Sequence, residues 1–246
     1  MVLPADHHIG DEESYLKTLA IALDASAGGD LVTVGLKPAR PETGYGYIEV
    51  GEPIADQVWR ARRFVEKPTR ERAEQLFASG SYLWNSGMFF FRADAILKAI
   101  EAHLPGLAEG LAVIDRAAEA GNEEAVVAES YGDLPRISID HGVMEKADSV
   151  SVVPGDFGWS DLGSWTTAWE LSRKDDRGNA AGSGTVLIDA SGNLVRAPLD
   201  KVVALVGVSD LVVVDTEDAL LVVPRDRAQE VREVVERLAK REGRAR

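Results

Sequence analysis

Two aspartates lie in loops that follow predicted strands, which is where folds of alternating strands and helices place metal ligands. Asp6 stands in LPADHH at residues 3–8, and Asp161 stands in GWSDLGSW at residues 158–165, between a strand and a helix. One carboxylate from each of two strand ends suits Mg²⁺ when substrate phosphates complete the oxygen ligands. The alternative is that these carboxylates, or Ser164 in the second motif, only cap the helices that follow.

A second group of motifs has the side chains needed to bind a sugar phosphate. In FVEKP, Lys67 could meet a phosphate and Glu66 a sugar hydroxyl, unless the two form only a surface ion pair. Asn85 in LWNSGMFFF could serve paired hydroxyls as donor and acceptor, unless it only shapes a turn. Gly46 in TGYGYI would let the backbone approach a ligand, although Gly-Tyr-Gly is also common in plain turns.

The composition excludes several kinds of chemistry. The chain has 246 residues, 45% of them hydrophobic, and no cysteine, so disulfides, thiolate zinc sites and a cysteine nucleophile are excluded. A net charge of −14 makes nucleic acid a poor partner, and phosphates would need a few placed cations or a metal. We find no apolar run near the ~18 residues of a membrane helix and no signal peptide. The expectation is a soluble cytoplasmic protein that binds neither nucleic acid nor membrane.

Periodic patterns predict the elements that position these residues. A helix is predicted after Asp11, and strands and helices then alternate as far as about residue 174, which favours a mainly parallel α/β sheet. Four short segments follow, TVLID, NLVRA, KVVALVG and LVVVDT, and predict a small element of stacked β rungs. The basic stretch 225–246 predicts a solvated amphipathic helix. The predicted domains are residues 1–174 and 175–246.

Taken in order, the strings LPADH, TGYGYI, FVEKP, WNSGMF and WSDLGSW resemble the bacterial mannose-1-phosphate guanylyltransferases, within the sugar-nucleotidyltransferase superfamily. The resemblance covers essentially the whole chain, and SIDHGVMEK at residues 138–146 strengthens it. It implies a GT-A-like (Rossmann-like) nucleotidyltransferase core with a small C-terminal β element and a terminal helix. The implied reaction joins GTP and mannose 1-phosphate into GDP-mannose and pyrophosphate by in-line attack of the sugar phosphate on the α-phosphorus.

The resemblance implies a role for each motif. Asp6 and Asp161 would hold Mg²⁺, and Lys67 would contact the phosphate of the sugar. Catalysis would then consist of positioning and charge neutralisation, with no covalent enzyme intermediate. The C-terminal rungs could pair two subunits, so a homodimer is one expectation.

The sugar-contacting residues are also implied by the resemblance. Gly46, Glu66 and Asn85 would contact mannose. Asp140 also lies in a matching motif, but whether it contacts the substrate stays open. Two alternative functions remain. One is a non-catalytic relative that binds a sugar phosphate or regulates a paralogue, and the other is a nucleotidyltransferase for another hexose 1-phosphate.

The chain as given starts later than the family pattern does. Family members carry, well before LPADH, a strand and a loop of the form G-G-x-G-T-R that cradles the triphosphate. A chain truncated at this point is expected to lack most of its GTP site and to expose a sheet edge. Three explanations would account for the late start. The chain could be a fragment or have a wrongly assigned start, it could be half of a split enzyme, or it could be a natural non-catalytic relative.

Overall fold

The computed structural model describes residues 1–241, and its N-terminal unit, Met1–Trp159, is built on five strands. The strands are β1 Leu31–Leu36, β2 Tyr47–Ala55, β3 Val58–Val65, β4 Tyr82–Phe90 and β5 Val150–Gly155. They close into a barrel in the order β1-β4-β2-β3-β5. Every residue of β1 is buried, as its unbroken apolar run predicts for a strand covered on both faces.

Most neighbouring strands of this barrel are antiparallel, so the prediction of a mainly parallel sheet is wrong. Within the described barrel only β1 and β5 run parallel, with Leu31 opposite Val150. Between β2 and β3 stand only Asp56 and Gln57, and so short a connection can join only antiparallel neighbours. β5 pairs with β1 on one side and with β3 on the other, so the expected exposed edge is not found in the described barrel.

Five helices accompany the barrel: α1 Glu12–Ser26, α2 Arg70–Ser79, α3 Ala93–His103, α4 Pro105–Glu119 and α5 Glu123–Ser130. The predicted cap at Asp11 is confirmed, because its carboxylate accepts the N–H of Ser14 at 3.1 Å. Thr69 caps α2, and Gly80 ends that helix at φ 69°, a left-handed conformation that favours glycine. A short π-helical turn, Asp140–Met144, precedes β5.

A second unit begins at Ser160. Its elements are α6 Trp165–Leu171, β6 Thr185–Ile188, β7 Leu194–Arg196, β8 Val203–Val206, β9 Leu211–Asp215, β10 Leu220–Pro224 and α7 Val231–Arg241. β6 pairs in parallel with β8, and β7 with β9, as stacked rungs require. The prediction of four strands misses β10, because a short apolar run ending in proline is a strand only through its antiparallel pairing with β9.

The second unit begins at a contact boundary, and its last helix begins later than predicted. Contacts divide the chain between Trp159 and Ser160, and the domain boundary at residues 174/175 stays a prediction. The C-terminal α-helix α7 begins only at Val231, after a 3-10 turn Arg225–Glu230, and residues 242–246 of the predicted helix lie outside the described residues. Among residues 1–241 there is no helix whose length and apolar content would let it cross a bilayer.

Two buried asparagines connect neighbouring rungs. Asn179 is 2% exposed and Asn193 is 0% exposed. Nδ2 of Asn193 donates to Oδ1 of Asn179 at 2.9 Å, and Oδ1 of Asn193 accepts the N–H of Leu211 at 2.9 Å. Nδ2 of Asn179 donates in turn to the carbonyl of Ala190 at 3.0 Å. Side-chain amides therefore supply partners for buried backbone groups at the corners of the rungs.

Asn193→Ala should lower the free energy of unfolding by about 2–4 kcal/mol, because it leaves the Leu211 N–H without its acceptor and removes the bond to Asn179. Asn122→Ala is the matched control, since Asn122 is exposed at the start of α5 and its side chain makes no capping bond. That change should stay within about 0.5 kcal/mol. Urea unfolding followed by tryptophan fluorescence measures both, and equal effects would contradict the role of the asparagine pair.

Candidate functional site

The four predicted substrate-binding residues lie together in the N-terminal unit. Gly46 stands just before β2, Glu66 directly after β3, Asn85 within β4 and Asp140 in the π-helical turn. The carbonyl of Gly46 accepts the N–H of Asn85 at 2.8 Å. A Cβ atom on Gly46 would lie 2.5 Å from Oε2 of Glu66 and 3.2 Å from Cβ of Asn85. A Cβ atom here would have to displace the Glu66 carboxylate, so the glycine leaves room for that carboxylate at this point.

The side-chain amide of Asn85 is held in one orientation. Its Oδ1 lies 3.0 Å from the Thr33 hydroxyl and accepts the N–H of Gly87 at 3.2 Å. Its Nδ2 donates to Oδ1 of Asp140 at 3.0 Å. Asn85 is 9% exposed, so this network is largely shielded from water. Because an amide nitrogen carries two hydrogens, Nδ2 has a second one with which to serve a ligand oxygen.

Glu66 presents a buried acceptor beside Gly46. Its side chain is 7% exposed, and its Oε1 pairs with Nζ of Lys67 at 3.0 Å. Its Oε2 is buried and has no hydrogen-bond partner among the residues that the structure describes. Burial raises the pKa of Glu66 above its ordinary value of 4.5, Lys67 opposes this rise, and the Asp140 carboxylate adds to it. A buried carboxylate oxygen without a donor is costly, and a side-chain movement that exposed it to a ligand hydroxyl would supply that donor.

Glu66→Gln should reduce the pH dependence of folding stability. With a raised folded pKa, Glu66 contributes stability that is complete below its ordinary pKa of 4.5 and is lost as pH rises through the folded value. The amide does not titrate, so we expect the variant to gain stability relative to the parent chain between about pH 4 and about pH 7. Urea unfolding at both pH values measures this, with Glu74→Gln, at an exposed position on α2, as control. A stability difference that is the same at both pH values would contradict the raised pKa.

Lys67 occupies a strained backbone conformation next to this acceptor. Its φ is 43°, in the left-handed region, and it directly precedes Pro68. A non-glycine residue in such a conformation costs about 1–3 kcal/mol and persists only where its surroundings hold it. The Lys67 side chain is 64% exposed, so its ammonium can meet a phosphate that arrives from solvent. The Glu66–Lys67 pair is therefore part of the cluster and not an isolated surface ion pair.

The predicted Mg²⁺ ligands, Asp6 and Asp161, belong to different units, so their pairing at one ion stays a prediction. Helix capping does not account for either residue, because Asp11 caps α1 and Ser164 caps α6. Asp161 Oδ1 accepts the N–H of Gly163 at 3.0 Å. No cluster of three or more His, Asp or Glu side chains suited to a metal is found within residues 1–241. One or two carboxylates completed by phosphate and water nevertheless match the ligand preference of Mg²⁺.

Several residues that support the site were not predicted from the sequence. Thr33 orients Asn85, and its signal is a lone hydroxyl within the apolar strand LVTVGL. Nε1 of Trp159 donates to Nδ1 of His7 at 2.9 Å, which fixes that ring directly after Asp6 in the chain. Tyr45 packs edge-on against both Trp159 and Trp84. An aromatic residue in each of three motifs is the pattern that could have indicated this cluster.

Comparison with known proteins gives consistent matches. Residues 1–178 match the family described as Nucleotidyl transferase, and residues 183–238 match the MannoseP isomerase/GMP-like beta-helix domain. Mannose-1-phosphate guanylyltransferase of Klebsiella pneumoniae is 41% identical over 240 residues, which are 96% of this chain and 51% of that protein. Alginate biosynthesis protein AlgA of Pseudomonas aeruginosa is 39% identical over 241 residues, 97% of this chain and 50% of that protein.

A solved structure extends the similarity to three dimensions. The structure named mannose-1-phosphate geranyltransferase, from Thermus thermophilus, is 44% identical and matches with a TM-score of 0.83. The match covers 96% of this chain and 68% of that one. The chain spans about half the length of the curated relatives it matches.

Proposed function

Because the chain belongs to the nucleotidyl transferase family, we propose that it carries the sugar-phosphate site of a mannose-1-phosphate guanylyltransferase. The proposed reaction is the transfer of GMP from GTP to mannose 1-phosphate. A phosphate oxygen of mannose 1-phosphate attacks the α-phosphorus of GTP and forms a P–O bond. The bond between the α-phosphorus and the leaving pyrophosphate breaks, which yields GDP-mannose and pyrophosphate.

The observation that carries this proposal is the buried, unpartnered Oε2 of Glu66 beside the fixed amide of Asn85. A carboxylate oxygen accepts from a sugar hydroxyl, and the amide offers an N–H to the neighbouring hydroxyl oxygen. Gly46 provides the room for this close approach. An acceptor and a donor that both lie next to Gly46 suit a pair of adjacent hydroxyls on a hexose ring.

Lys67 is the proposed contact of the phosphate on the same sugar. Its ammonium lies 3.0 Å from Oε1 of Glu66, so a sugar held by Glu66 would place its substituents within reach of Lys67. Pairing with a phosphate offsets negative charge, which matters in a chain of net charge −14. Lys67 thus acts by positioning and charge neutralisation, and no covalent intermediate is needed.

Mg²⁺ is the proposed cofactor, with Asp6 and Asp161 as its protein ligands. The support is the oxygen chemistry of the two side chains and the fact that neither caps the helix after it. When bound, the ion would neutralise charge on the reacting phosphates.

Calorimetric titration of mannose 1-phosphate into the chain, with and without Mg²⁺, tests the proposal. Glucose 1-phosphate is the control ligand, Asn85→Ala the site variant, and Asn122→Ala the control variant. We expect saturable binding that prefers mannose 1-phosphate and is weakened by Asn85→Ala alone. Absence of binding to the folded chain, or binding that Asn85→Ala leaves intact, would contradict the proposed site.

A second assay separates catalysis from binding. Pyrophosphate release from GTP that requires mannose 1-phosphate would support the transferase reaction. Selective binding without pyrophosphate release would instead support the alternative of a sugar-phosphate-binding or regulatory protein. Preference for another hexose 1-phosphate in either assay would change the proposed substrate.

A further inference from the structure

Two carboxylates at the π-helical turn, those of Asp140 and Glu145, accept hydrogen bonds from residues of the candidate site. Asp140, at the start of the turn, accepts from Nδ2 of Asn85 at 3.0 Å. Glu145, directly after the turn, accepts the backbone N–H of Glu66 at 2.9 Å through its Oε1. The turn and the residue that follows it therefore contact both residues that are proposed to hold the sugar. π-helical turns are rare and often occur at functional sites.

The hydrogen bond that Glu145 accepts from the Glu66 N–H lies next to Lys67, the strained residue of the site. Lys67 has a φ of 43° and stands between Glu66 and Pro68. Pro68 has no N–H, so the peptide group between Lys67 and Pro68 cannot donate a hydrogen bond that would fix it. The N–H of Glu66 lies one residue before Lys67, and Glu145 accepts it. A conformation that is costly by itself persists when a neighbouring group fixes it in this way.

His141 holds Glu145 in place. Its Nδ1 lies 3.1 Å from Oε2 of Glu145, four residues later in the chain, so the two carboxylate oxygens have separate partners. Burial would raise the pKa of Glu145, but the bonds from the Glu66 N–H and from His141 outweigh it and keep that pKa below its ordinary value. Glu145 is therefore ionised at neutral pH and accepts a charge-assisted hydrogen bond.

We propose that Glu145 is a positioning residue for the sugar-phosphate site. Its carboxylate, braced by His141, holds the Glu66–Lys67 turn so that Oε2 of Glu66 and the ammonium of Lys67 face the ligand together. Glu145 acts through this turn and is not proposed to touch the substrate. The inference rests on the proposed function for the identity of the ligand, mannose 1-phosphate.

The first test is the affinity for mannose 1-phosphate by calorimetry. Glu145→Ala should weaken binding about 10-fold, because one charge-assisted hydrogen bond that orders the site is lost. Glu145→Gln should restore affinity to within about 3-fold of the parent chain, since its amide oxygen can still accept the Glu66 N–H. Glu74→Ala, which removes an exposed carboxylate paired with Arg70, is the control and should leave affinity unchanged. Parent-like binding by Glu145→Ala would overturn the proposal.

A double-mutant cycle separates positioning from general stabilisation. If Glu145 acts through the Glu66–Lys67 turn, Glu145→Ala should weaken binding only about 3-fold in a chain that already carries Lys67→Ala, because the Glu66 contact is then the only one left for it to position. A purely structural role would leave the 10-fold loss in place on both backgrounds. The same loss in both chains, with thermal unfolding midpoints lowered in parallel, would overturn the inference.

A measurement without ligand keeps this inference separate from the proposed function. The amide hydrogen of Glu66 should exchange with solvent at least about 10-fold faster in Glu145→Ala than in the parent chain, because its acceptor is lost. Amides of β1 should exchange as before. Unchanged exchange at Glu66 would overturn the inference whatever the ligand. Absence of mannose 1-phosphate binding to a parent chain in which the Glu66 amide is protected would instead contradict the proposed function.

Discussion

Gly46→Ala is expected to weaken mannose 1-phosphate binding by about 100-fold or more while the chain remains folded. The added Cβ would stand 2.5 Å from Oε2 of Glu66, which is too close without displacement, and 3.2 Å from Cβ of Asn85, which is a tight contact. The carboxylate of Glu66 must therefore move, and its Oε2 is the proposed acceptor for the sugar. Displacing Glu66 also disturbs its pairing with Lys67, so the hydroxyl and phosphate contacts are lost together.

Gly44→Ala is the matched control for this prediction. Gly44 lies in the same loop, two residues earlier, and its Cβ would meet only Oε1 of Glu42, at an ordinary 3.6 Å. We expect near-parent affinity for this variant. Calorimetry measures both variants, and thermal unfolding verifies that each is folded. If a folded Gly46→Ala chain binds as well as Gly44→Ala does, then Glu66 and Asn85 are not the sugar contacts.

Lys67→Ala is expected to lower the affinity for mannose 1-phosphate about 30-fold, the worth of one hydrogen bond between charged groups. Its ammonium is the proposed contact of the phosphate and also the partner of Oε1 of Glu66. Without it, Glu66 loses the cation that opposes the rise of its pKa, and its carboxylate becomes harder to ionise. The loss of Glu66 ionisation affects every ligand alike, but only a phosphate pairs with the ammonium itself, so the total loss should be greatest for ligands that carry a phosphate.

Competition experiments with mannose and mannose 1-phosphate measure this discrimination. Lys98→Ala on α3 removes the same charge from an exposed position and serves as the control. We expect the ratio of the two affinities to fall in Lys67→Ala and to remain unchanged in Lys98→Ala. Equal losses for both ligands in Lys67→Ala would mean that Lys67 supports the shape of the site and does not contact the phosphate.

Local sequence signals were sufficient for most elements of the fold. Asp11 and Thr69 cap helices because their side chains satisfy N–H groups within the same turn, and Gly80 ends a helix because it adopts a left-handed conformation. These interactions span only a few residues, so the order of residues reveals them. The predicted nucleotidyltransferase fold class is confirmed by the family match and by the solved relative.

Strand pairing was harder to predict because it joins residues far apart in the chain. β1 lies between β4 and β5, whose residues follow it by about fifty and more than a hundred positions, and no local pattern states the direction of either pairing. The segment LLVVP was missed for the same reason, because it forms a strand only through its pairing with β9. Leu16 and Leu23 help to predict α1 but remain exposed on it, because periodicity predicts a helix without stating which face is covered.

By itself, the sequence determined the types of residues available for chemistry and the elements that carry them. It supplied Glu66 and Lys67 after a strand, Asn85 within one, and a glycine before another. Only the tertiary structure decided that Gly46, Glu66 and Asn85 meet, that one carboxylate oxygen is buried without a donor, and that Glu145 holds the backbone behind it. The physical reason is that residue type fixes which hydrogen bonds a group can make, whereas burial and partners depend on chain segments that approach only after folding.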